Sequence, residues 1–465
     1  MKIKNIFFLT ACLIMATISQ SCEDFVELDT PDFKLDRQTV FSNDASAQNV
    51  LNGIYNQLFN TSFSGGGAQS VTILAGLYAD NVEFTGTNEE LLQFDSNLIA
   101  PNNLSNQSLW AGAYNIIYQA NSLITNVEGN ELLSAPKRDH LVGSGKFIRA
   151  FTYFYLVNLY GDVPLIINTD YQENAIAGRA ERELVYNRII EDLESASQLL
   201  QDSYPDQDRT RLNRFAAMAL LARVHLYQGN WEEAVTYSSA LMNASQYRLL
   251  NNLNEIFLAD SSEAIWQISP VGGGNSLTHT REGNLFIQTG SLSTPVALTA
   301  HFLNEFENTQ DLRREAWVAL FNEGEDSLYY PNKYKIQYDA SGGAIEEYSM
   351  VMRLGEQYLI RAEAYARLNQ LNEALVDLNV IRSRSGLEII NEVADQGGVL
   401  ERILEERRRE LFTEWGHRWL DLKRYGRSEQ LKEQTNSSWT STSILFPIPL
   451  SELQNNPNLD QNPGY

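Results

Sequence analysis

Side chains that commonly perform catalysis are few and scattered in this sequence. The five histidines, at positions 140, 225, 279, 301 and 417, include no pair at the short spacing of a zinc-binding helix. No Gly-x-Ser-x-Gly motif is present, and the adjacent acids Glu405 and Glu406 would point to different faces of a helix. The sequence therefore supports neither a metal site nor a catalytic residue, and we expect no cofactor.

Gly143-Ser144-Gly145-Lys146 faintly resembles a phosphate-binding loop. It lacks the earlier glycine of such loops, and Phe147 stands where a serine or threonine would bind magnesium. We interpret it as a plain turn at the start of an aromatic-rich helix.

Charge limits the partners of the chain. It carries 59 acidic and 35 basic residues, a formal net charge of -24. Such a surface repels phosphate backbones, so a nucleic acid is a poor candidate partner.

The amino terminus has the pattern of a lipoprotein signal peptide. Lys2 and Lys4 precede an apolar run of 13 residues from Ile6 to Ile18, which is too short to span a membrane. Cleavage after residue 21 would make Cys22 the first residue, where bacterial lipoproteins are acylated, although Ser19 replaces the usual large aliphatic residue. Ordinary secretion with an unmodified Cys22 remains the alternative. Removal of residues 1 to 21 leaves one cysteine and no internal disulfide, and residues 22 to 40 are predicted to be an acidic tether.

Helical periodicity dominates the rest of the chain and predicts a mainly α fold. Apolar residues recur at helical spacing from Val50 to Leu58, after a cap at Ser42 or Asp44, and from Leu109 to Val127. The segment from 146 to 160 is apolar nearly all round and should be central, ending at Gly161. Further helices are predicted at 183 to 200, 296 to 307 and 400 to 415, and the prolines near the carboxyl end predict an extended strap.

Two later segments repeat one pattern. An apolar helix from Ala219 to Gly229 precedes Trp231-Glu232-Glu233-Ala234, and a similar helix from Tyr358 to Asn369 precedes Leu371-Asn372-Glu373-Ala374. The small residues Ala222 and Ala362 fall in register. This pattern is typical of tetratricopeptide helix hairpins, in which small residues let two helices approach closely. The copies lie 140 residues apart, so the array is interrupted.

Two long segments, 61 to 104 and 271 to 343, are rich in Gly, Asn, Ser and Thr and carry scattered aromatic residues. They are too long to be simple connections, and loops of this kind on a helical scaffold usually carry the binding residues. We expect one domain over 41 to 465 with these two inserted loop regions.

Several motifs together resemble one family. They are Ser21 to Phe25, WAGAYNIIYQANSLI at 110 to 124, FIRAFTYFYLVNLYGDVP at 147 to 164, the hairpin at 216 to 234, the segment 353 to 386, EERRRELFTEWGHRWLDLKRYG at 405 to 426, and the final 446 to 465. In their order and spacing the chain resembles the SusD/RagB family of outer-membrane nutrient-binding lipoproteins of Bacteroidetes.

The resemblance implies a fold of four tetratricopeptide-like hairpins in a right-handed superhelix, packed against an irregular ligand-binding region. It also implies an acyl anchor at Cys22, a position on the outer cell surface, a SusC-like TonB-dependent transporter as partner, a glycan as ligand and no catalysis. The charged residues around 405 to 424 we interpret as a salt-linked helix surface.

The family places its ligand site before the helix that begins near Trp110 and in the irregular region after the second hairpin. Sugars bind by placing a ring face on an aromatic plane while amides and carboxylates pair with hydroxyls. The candidates are therefore Asp80, Asn81, Phe84, Asn88, Glu89, Gln93 and Phe94 in the first segment and His279, Arg281, Phe286, Trp317, Tyr329 and Tyr330 in the second.

Three function classes remain open. Glycan capture fits the anchor, the helical pattern and the motif series. A surface glycoside hydrolase would require a pair of carboxylates at a fixed separation, and the sequence singles out no such pair. Helical repeats also bind peptides in concave grooves, so a peptide-binding scaffold or an oligopeptide-capturing protein of the RagB type is the alternative.

Overall fold

The computed structural model of the protein describes residues 37–270, 277–289, 296–306, 310–323, 326–392, 395–433 and 437–465. The predicted signal peptide, Cys22 and most of the predicted tether lie outside these ranges. The last four residues of that tether, Arg37–Val40, form a short helix, so the described fold begins before the predicted boundary at residue 41. Within the described ranges, no helix is both long enough and apolar enough to cross a membrane.

Helices make up most of the described structure, and the strands are short. The helices are α1 (Arg37–Val40), α2 (Asp44–Asn60), α3 (Val71–Leu77), α4 (Glu89–Asp95), α5 (Leu104–Val127), α6 (Ala135–Tyr160), α7 (Tyr171–Asn174), α8 (Arg182–Leu199), α9 (Arg214–Gln228), α10 (Trp231–Met242), α11 (Arg281–Phe286), α12 (Ala300–Leu303), α13 (Leu312–Trp317), α14 (Leu354–Arg367), α15 (Leu371–Arg384), α16 (Gln396–Glu410), α17 (His417–Arg424) and α18 (Leu450–Asn455). The strands are β1 (Val82–Phe84), β2 (Val163–Pro164), β3 (Arg179–Ala180), β4 (Ala264–Ile268), β5 (Val296–Leu298), β6 (Val318–Glu323), β7 (Asp326–Pro331) and β8 (Ser349–Arg353).

Polar residues and glycines define the ends of the helices. Asn43 caps α2, where its side-chain oxygen accepts from the backbone N–H groups of Ala45 and Ser46. The predicted cap, Ser42 or Asp44, is therefore wrong by one residue. Gly161 ends α6 with a positive φ of 76°, which glycine adopts without steric cost.

Helix α6 is the centre of the fold. Every residue from Phe147 to Tyr160 is buried, as the apolar pattern predicted, and the helix packs against α5 and α8. The ring of Phe151 meets those of Trp266 and Trp415 edge to face, each with centroids 5.1 Å apart. The aromatic residues of this segment therefore form the core.

The predicted turn at Gly143 to Lys146 is wrong, because these residues lie inside α6. A Cβ on Gly145 would lie 2.9 Å from Cγ1 of Ile124 on α5, and one on Gly143 would lie 3.0 Å from Cγ of Leu200. Both glycines therefore allow neighbouring segments to approach α6 closely.

The two repeated segments are helix hairpins, α9 with α10 and α14 with α15. The small residues that fall in register in the sequence, Ala222 with Ala362 and Ala234 with Ala374, are all fully buried. The hairpins also pack on each other through a shared apolar cluster consisting of Ala222, Leu226, Ala234, Ile360 and Ala364. The arrangement of four such hairpins in a right-handed superhelix stays a prediction.

The two irregular segments meet through antiparallel strands. β1 pairs with β5, with Val82 opposite Leu298 and Phe84 opposite Val296. The helix predicted at 296 to 307 is therefore wrong at its start, because its first residues pair with a distant strand. Among the described residues 296 to 306, the α-helical part is Ala300–Leu303. β7 packs against β5, which brings the hairpin of β6 and β7 to the same region.

The charged residues predicted to form a helix surface lie mostly in the interior. Glu406, Arg407 and Glu410 on α16 are at most 1% exposed. Arg353 on β8 binds Glu263 at 3.0 Å and Glu414 at 2.8 Å, and also pairs with Glu410. These charges can be buried because they are paired, since burial of one unpaired ion would cost roughly several kcal/mol of folding free energy.

Candidate functional site

Two cavities adjoin the paired irregular segments, and α4 borders both. Its Leu91 lines the smaller cavity, whose volume is about 230 Å³, and its Asp95 lines the larger one, of about 750 Å³. We call the smaller one the polar cavity and the larger one the charged cavity.

The polar cavity combines residues from both irregular segments. Asn88, from the first, and Arg281, from the second, were both predicted as ligand contacts. Its complete lining is Thr61, Ser62, Gly67, Ala68, Gln69, Asn88, Leu91, Ser105 and Arg281. Hydroxyls, amides and one guanidinium dominate this set, and these are the groups that pair with the hydroxyls of a sugar.

The polar side chains of this cavity are held in place by their neighbours. The guanidinium of Arg281 lies 4.8 Å from the ring centroid of Phe59, and its Nη2 lies 3.4 Å from Oδ1 of Asn60. The side-chain amide of Gln69 accepts from Ser62 at 3.3 Å and donates to Ser105 at 3.5 Å. A ligand would therefore meet an ordered set of donors and acceptors, which lowers the entropy lost on binding.

A glycine-rich turn, residues 64 to 67, forms one edge of the polar cavity and rests on a buried carboxyl group. Gly66 has φ of +77°, and a Cβ there would lie 2.2 Å from the carboxyl carbon of Glu282. Oε1 of Glu282 accepts from Ser349, whereas buried Oε2 has no hydrogen-bond partner among the described residues. Burial raises the pKa of Glu282 to about 7.

The charged cavity has a lining of carboxylates with a smaller number of cations. Its acidic residues are Asp80, Glu83, Asp95, Glu305, Glu401, Glu405 and Glu433, and its basic residues are His301, Arg408, Arg418 and Arg427. Burial and then the nearby carboxylate of Asp95 raise the pKa of Glu83. Within the described ranges, no group of three or more His, Cys, Asp and Glu side chains is arranged to hold a metal ion.

Asp80 was predicted to bind ligand but is already fully paired. Arg418 donates to its two carboxylate oxygens at 2.6 Å each, and Nη2 of Arg408 lies 3.0 Å away. Burial opposes ionisation of Asp80, but the two guanidinium groups outweigh it and lower the pKa to about 2. The carboxylate therefore anchors α16 and α17 to the first irregular segment.

Most of the predicted aromatic contacts lie in the core. Phe84, Phe94, Phe286 and Trp317 are at most 6% exposed. Phe94 packs edge to face on Tyr78, and the indole N–H of Trp317 donates to the carbonyl of Leu253 at 3.1 Å. These four rings present no face to a sugar in this structure, so their assignment as stacking platforms is corrected. Each one completes the core beneath the loops.

The remaining predicted residues are spread around this region. Asn81 is buried and accepts from Arg408 at 2.8 Å. His279 is buried, and its Nδ1 accepts from the backbone N–H of Asp339, while the side chain of Gln93 accepts from Asn103. Glu89 is exposed on the first turn of α4. Tyr329 and Tyr330 are half-buried on β7. Of the thirteen candidates, only Asn88 and Arg281 line the polar cavity, and only Asp80 lines the charged one.

Residue types alone did not single out Ser62, Gln69 and Ser105. A signal was present in the run Gly65-Gly66-Gly67, because consecutive glycines often mark a close backbone approach. Here that approach is to Glu282, and Gln69 follows two residues after the run.

Comparison with known proteins gives consistent matches along the chain. A family model described as "Starch-binding associating with outer membrane" matches residues 25–226, and a model of the SusD family matches residues 314–465. A relative from Formosa agariphila, "SusD-like protein P25", is 27% identical over the full length of both chains.

Solved structures show the same fold. A SusD superfamily protein from Bacteroides vulgatus superimposes with a TM-score of 0.81 at 22% identity, covering 92% of this chain and 100% of that one. A structure described as a laminarin-binding SusD-like protein has a TM-score of 0.76 at 25% identity, covering 91% of this chain and 100% of its own.

Proposed function

Because the chain belongs to the SusD/RagB family, we propose that it captures a glycan at the outer cell surface without catalysing a reaction. The observation that carries the proposal is the meeting of Asn88 and Arg281, from two distant irregular segments, in one polar cavity. The family model whose description names starch binding and the outer membrane supports it, and so does the similar protein that binds laminarin.

The proposed mode of binding is hydrogen bonding rather than aromatic stacking. Arg281 presents several N–H donors in a fixed plane, and the amides of Asn88 and Gln69 can both donate and accept. Asn88 also caps α4 by accepting from the N–H groups of Glu90 and Leu91, so its remaining capacity is smaller. Arg281 is therefore the main ligand contact in this proposal.

Acylation of Cys22 would tether the folded chain to the outer membrane, and the captured glycan would be passed to a SusC-like TonB-dependent transporter. The lipoprotein pattern at residues 1 to 22 and the outer-membrane association named for the matched family support this part. Two or more acyl chains give stable anchoring, since a single chain holds only weakly.

Affinity electrophoresis of the mature protein tests the capture proposal. The protein should be retarded in native gels that contain laminarin, starch or another neutral polysaccharide, and Arg281→Ala should remove that retardation. Loss of charge-assisted hydrogen bonds should weaken binding by roughly tenfold to a hundredfold. Gln69→Ala should show a smaller loss.

Arg314→Ala is the matched control. Arg314 stacks on Tyr329 at 4.6 Å, as Arg281 does on Phe59, but lies outside both cavities. Equal retardation of wild type and Arg281→Ala would reject the site. Release of reducing ends would favour a hydrolase, and binding of peptide mixtures without any glycan would favour oligopeptide capture.

A further inference from the structure

A third cavity lies at the amino-terminal end of the central helix α6. It has a volume of about 510 Å³ and is enclosed by α2, the first turns of α6 and the segment 201 to 212. Its ionisable lining residues are Lys137, His140 and Arg211, and no carboxylate of the described residues lines it. The chain has a net charge of -24, so a cavity whose described ionisable lining is entirely basic is unexpected from the composition.

The two cations of this basic cavity make no close ion pair with a described carboxylate. Nζ of Lys137 donates to the neutral side-chain oxygen of Gln48 at 2.8 Å. The guanidinium of Arg211 lies 4.9 Å from the ring centroid of Tyr55, and Oδ2 of Asp208, its salt-bridge partner among the described side chains, is 4.0 Å from its Nε. Their positive charge is therefore only weakly compensated.

Asp44 also acts on the charge of Lys137, but its oxygens are engaged by Ser134. Asp44 accepts from the backbone N–H of Ser134 at 2.9 Å and from its hydroxyl at 2.6 Å. Ser134 in turn makes no side-chain cap at the start of α6. The positive end of this 26-residue helix adds to the potential of the cavity.

The pKa of His140 is lowered in this cavity. Burial, then the charges of Lys137 and Arg211, lower its pKa to about 4, so the ring is neutral at physiological pH. A bound anion would reverse the effect of the two cations, which makes the imidazole a built-in reporter of occupancy.

We propose that the basic cavity binds the carboxylate or sulfate group of an acidic saccharide, at a site separate from the polar cavity. Lys137 and Arg211 would hold the oxyanion, as guanidinium and ammonium groups do elsewhere. The side chains of Asn52, Gln201 and Ser203 also line the cavity and would pair with ring hydroxyls. The saccharide part of this assignment rests on the proposed function, whereas the oxyanion part does not.

Histidine-selective NMR on the mature protein tests the proposal. Glucuronate and a sulfated monosaccharide should shift the His140 signals and raise the pKa of His140 by about one unit or more, and glucose at the same ionic strength should not. Lys137→Met should weaken binding by roughly tenfold. Arg138→Met is the control, because the neighbouring Arg138 donates to the carbonyl of Asn130 and does not line the cavity.

If neither acidic sugar changed the His140 titration, the proposal would be overturned. A response to inorganic sulfate but to neither acidic sugar would overturn it as well. A parallel shift of the exposed His301 would indicate a non-specific salt effect and would also count against it. Arg281→Ala should leave the His140 response intact, and Lys137→Met should leave retardation by neutral glycans intact. Failure of one site is thereby distinguished from failure of the other.

Discussion

At the level of single residues, the main feature is a set of linked ion pairs that continues from the core to the charged cavity. Arg313 binds Asp311 and Glu406, and Glu406 binds Arg409. Glu305 then joins Arg409 to Arg408, and Arg408 binds Asp80 at the wall of the cavity. Buried pairs of this kind contribute little net stability, but removal of one partner leaves an uncompensated charge.

Arg353→Met should therefore be strongly destabilising. The change leaves Glu263, Glu410 and Glu414 without the guanidinium they share, and we expect a loss of about 3 to 5 kcal/mol in the free energy of unfolding. Urea denaturation followed by circular dichroism measures it. The exposed pair of Arg402 and Glu405 is the control, and Arg402→Met should cost less than about 1 kcal/mol. Similar losses for the two variants would contradict this reasoning.

Glu282 should make stability fall as pH rises. Its pKa is raised from 4.5 to about 7 in the folded state, so between these values the unfolded chain releases a proton that the folded chain retains. The free energy of unfolding should then decrease by about 3 kcal/mol from pH 4.5 to pH 7 through this group alone.

Glu282→Gln isolates that contribution. The amide keeps an oxygen for Ser349 but has no charge to bury, so the variant should gain stability relative to wild type as pH rises. Urea titrations of both proteins at several pH values measure the difference in their free energies of unfolding. The contributions of other carboxyl groups are the same in both proteins and drop out of this difference. A constant difference across the range would show that folding does not raise the pKa of Glu282.

At the level of elements, the sequence predicted the helices better than the strands. The segment from 146 to 160 and the hairpins were found because an apolar period of 3.6 residues is a local signal. β5 was predicted as part of a helix because its pairing with β1 depends on a distant segment that local periodicity does not report. Charge patterns likewise did not reveal that the ion pairs of α16 are buried.

The start of α17 supplies a prediction for this level. Gly416 has φ of +68°, and a Cβ there would lie 2.6 Å from Cβ of Ala75 on α3. Gly416→Ala adds backbone strain of about 1 kcal/mol to an overlap worth about 1 to 3 kcal/mol. Gly426 is the matched control, since it has φ of +66° with open space around it. Thermal melts should show a clearly larger drop for Gly416→Ala, and equal drops would contradict the close contact of α3 and α17.

The candidate site was only partly predictable from sequence, because it too depends on contacts between distant segments. The two segments predicted from composition to be loops contain short helices and strands, such as α4 and β5. Two of the residues named from them, Asn88 and Arg281, line the polar cavity. Aromatic residue types did not predict exposure, because rings such as Phe94 are needed to complete the core beneath the loops. The basic cavity was missed because Lys137, His140 and Arg211 come together only through tertiary packing.

For the whole molecule, the largest apolar cluster of the described residues has members from Phe41 to Ile448, and two smaller clusters lie in and beside the helix hairpins. The carboxyl-terminal strap, residues 446 to 465, was predicted to be extended but contains the short helix α18. It belongs to the largest cluster, since the backbone N–H of Phe446 donates to the carbonyl of Leu159 at 2.8 Å. Asn462 donates to the carbonyl of Tyr160 at 2.9 Å. The end of the chain is thereby fixed to the central helix, which favours one folding unit over several.

Phe446→Ala should lower the stability of the entire chain rather than loosen the strap alone. The ring is fully buried among Tyr78, Phe94 and Tyr160, so its loss should cost about 3 to 5 kcal/mol. Far-UV circular dichroism and tryptophan fluorescence should report the same urea midpoint for wild type, and the same lowered midpoint for the variant. Leu450→Ala, at a side chain that is 40% exposed in the same strap, should leave both midpoints nearly unchanged. Midpoints that separate in Phe446→Ala would mean that the strap and the helical hairpins unfold independently, because a shared core forces both probes to follow one transition.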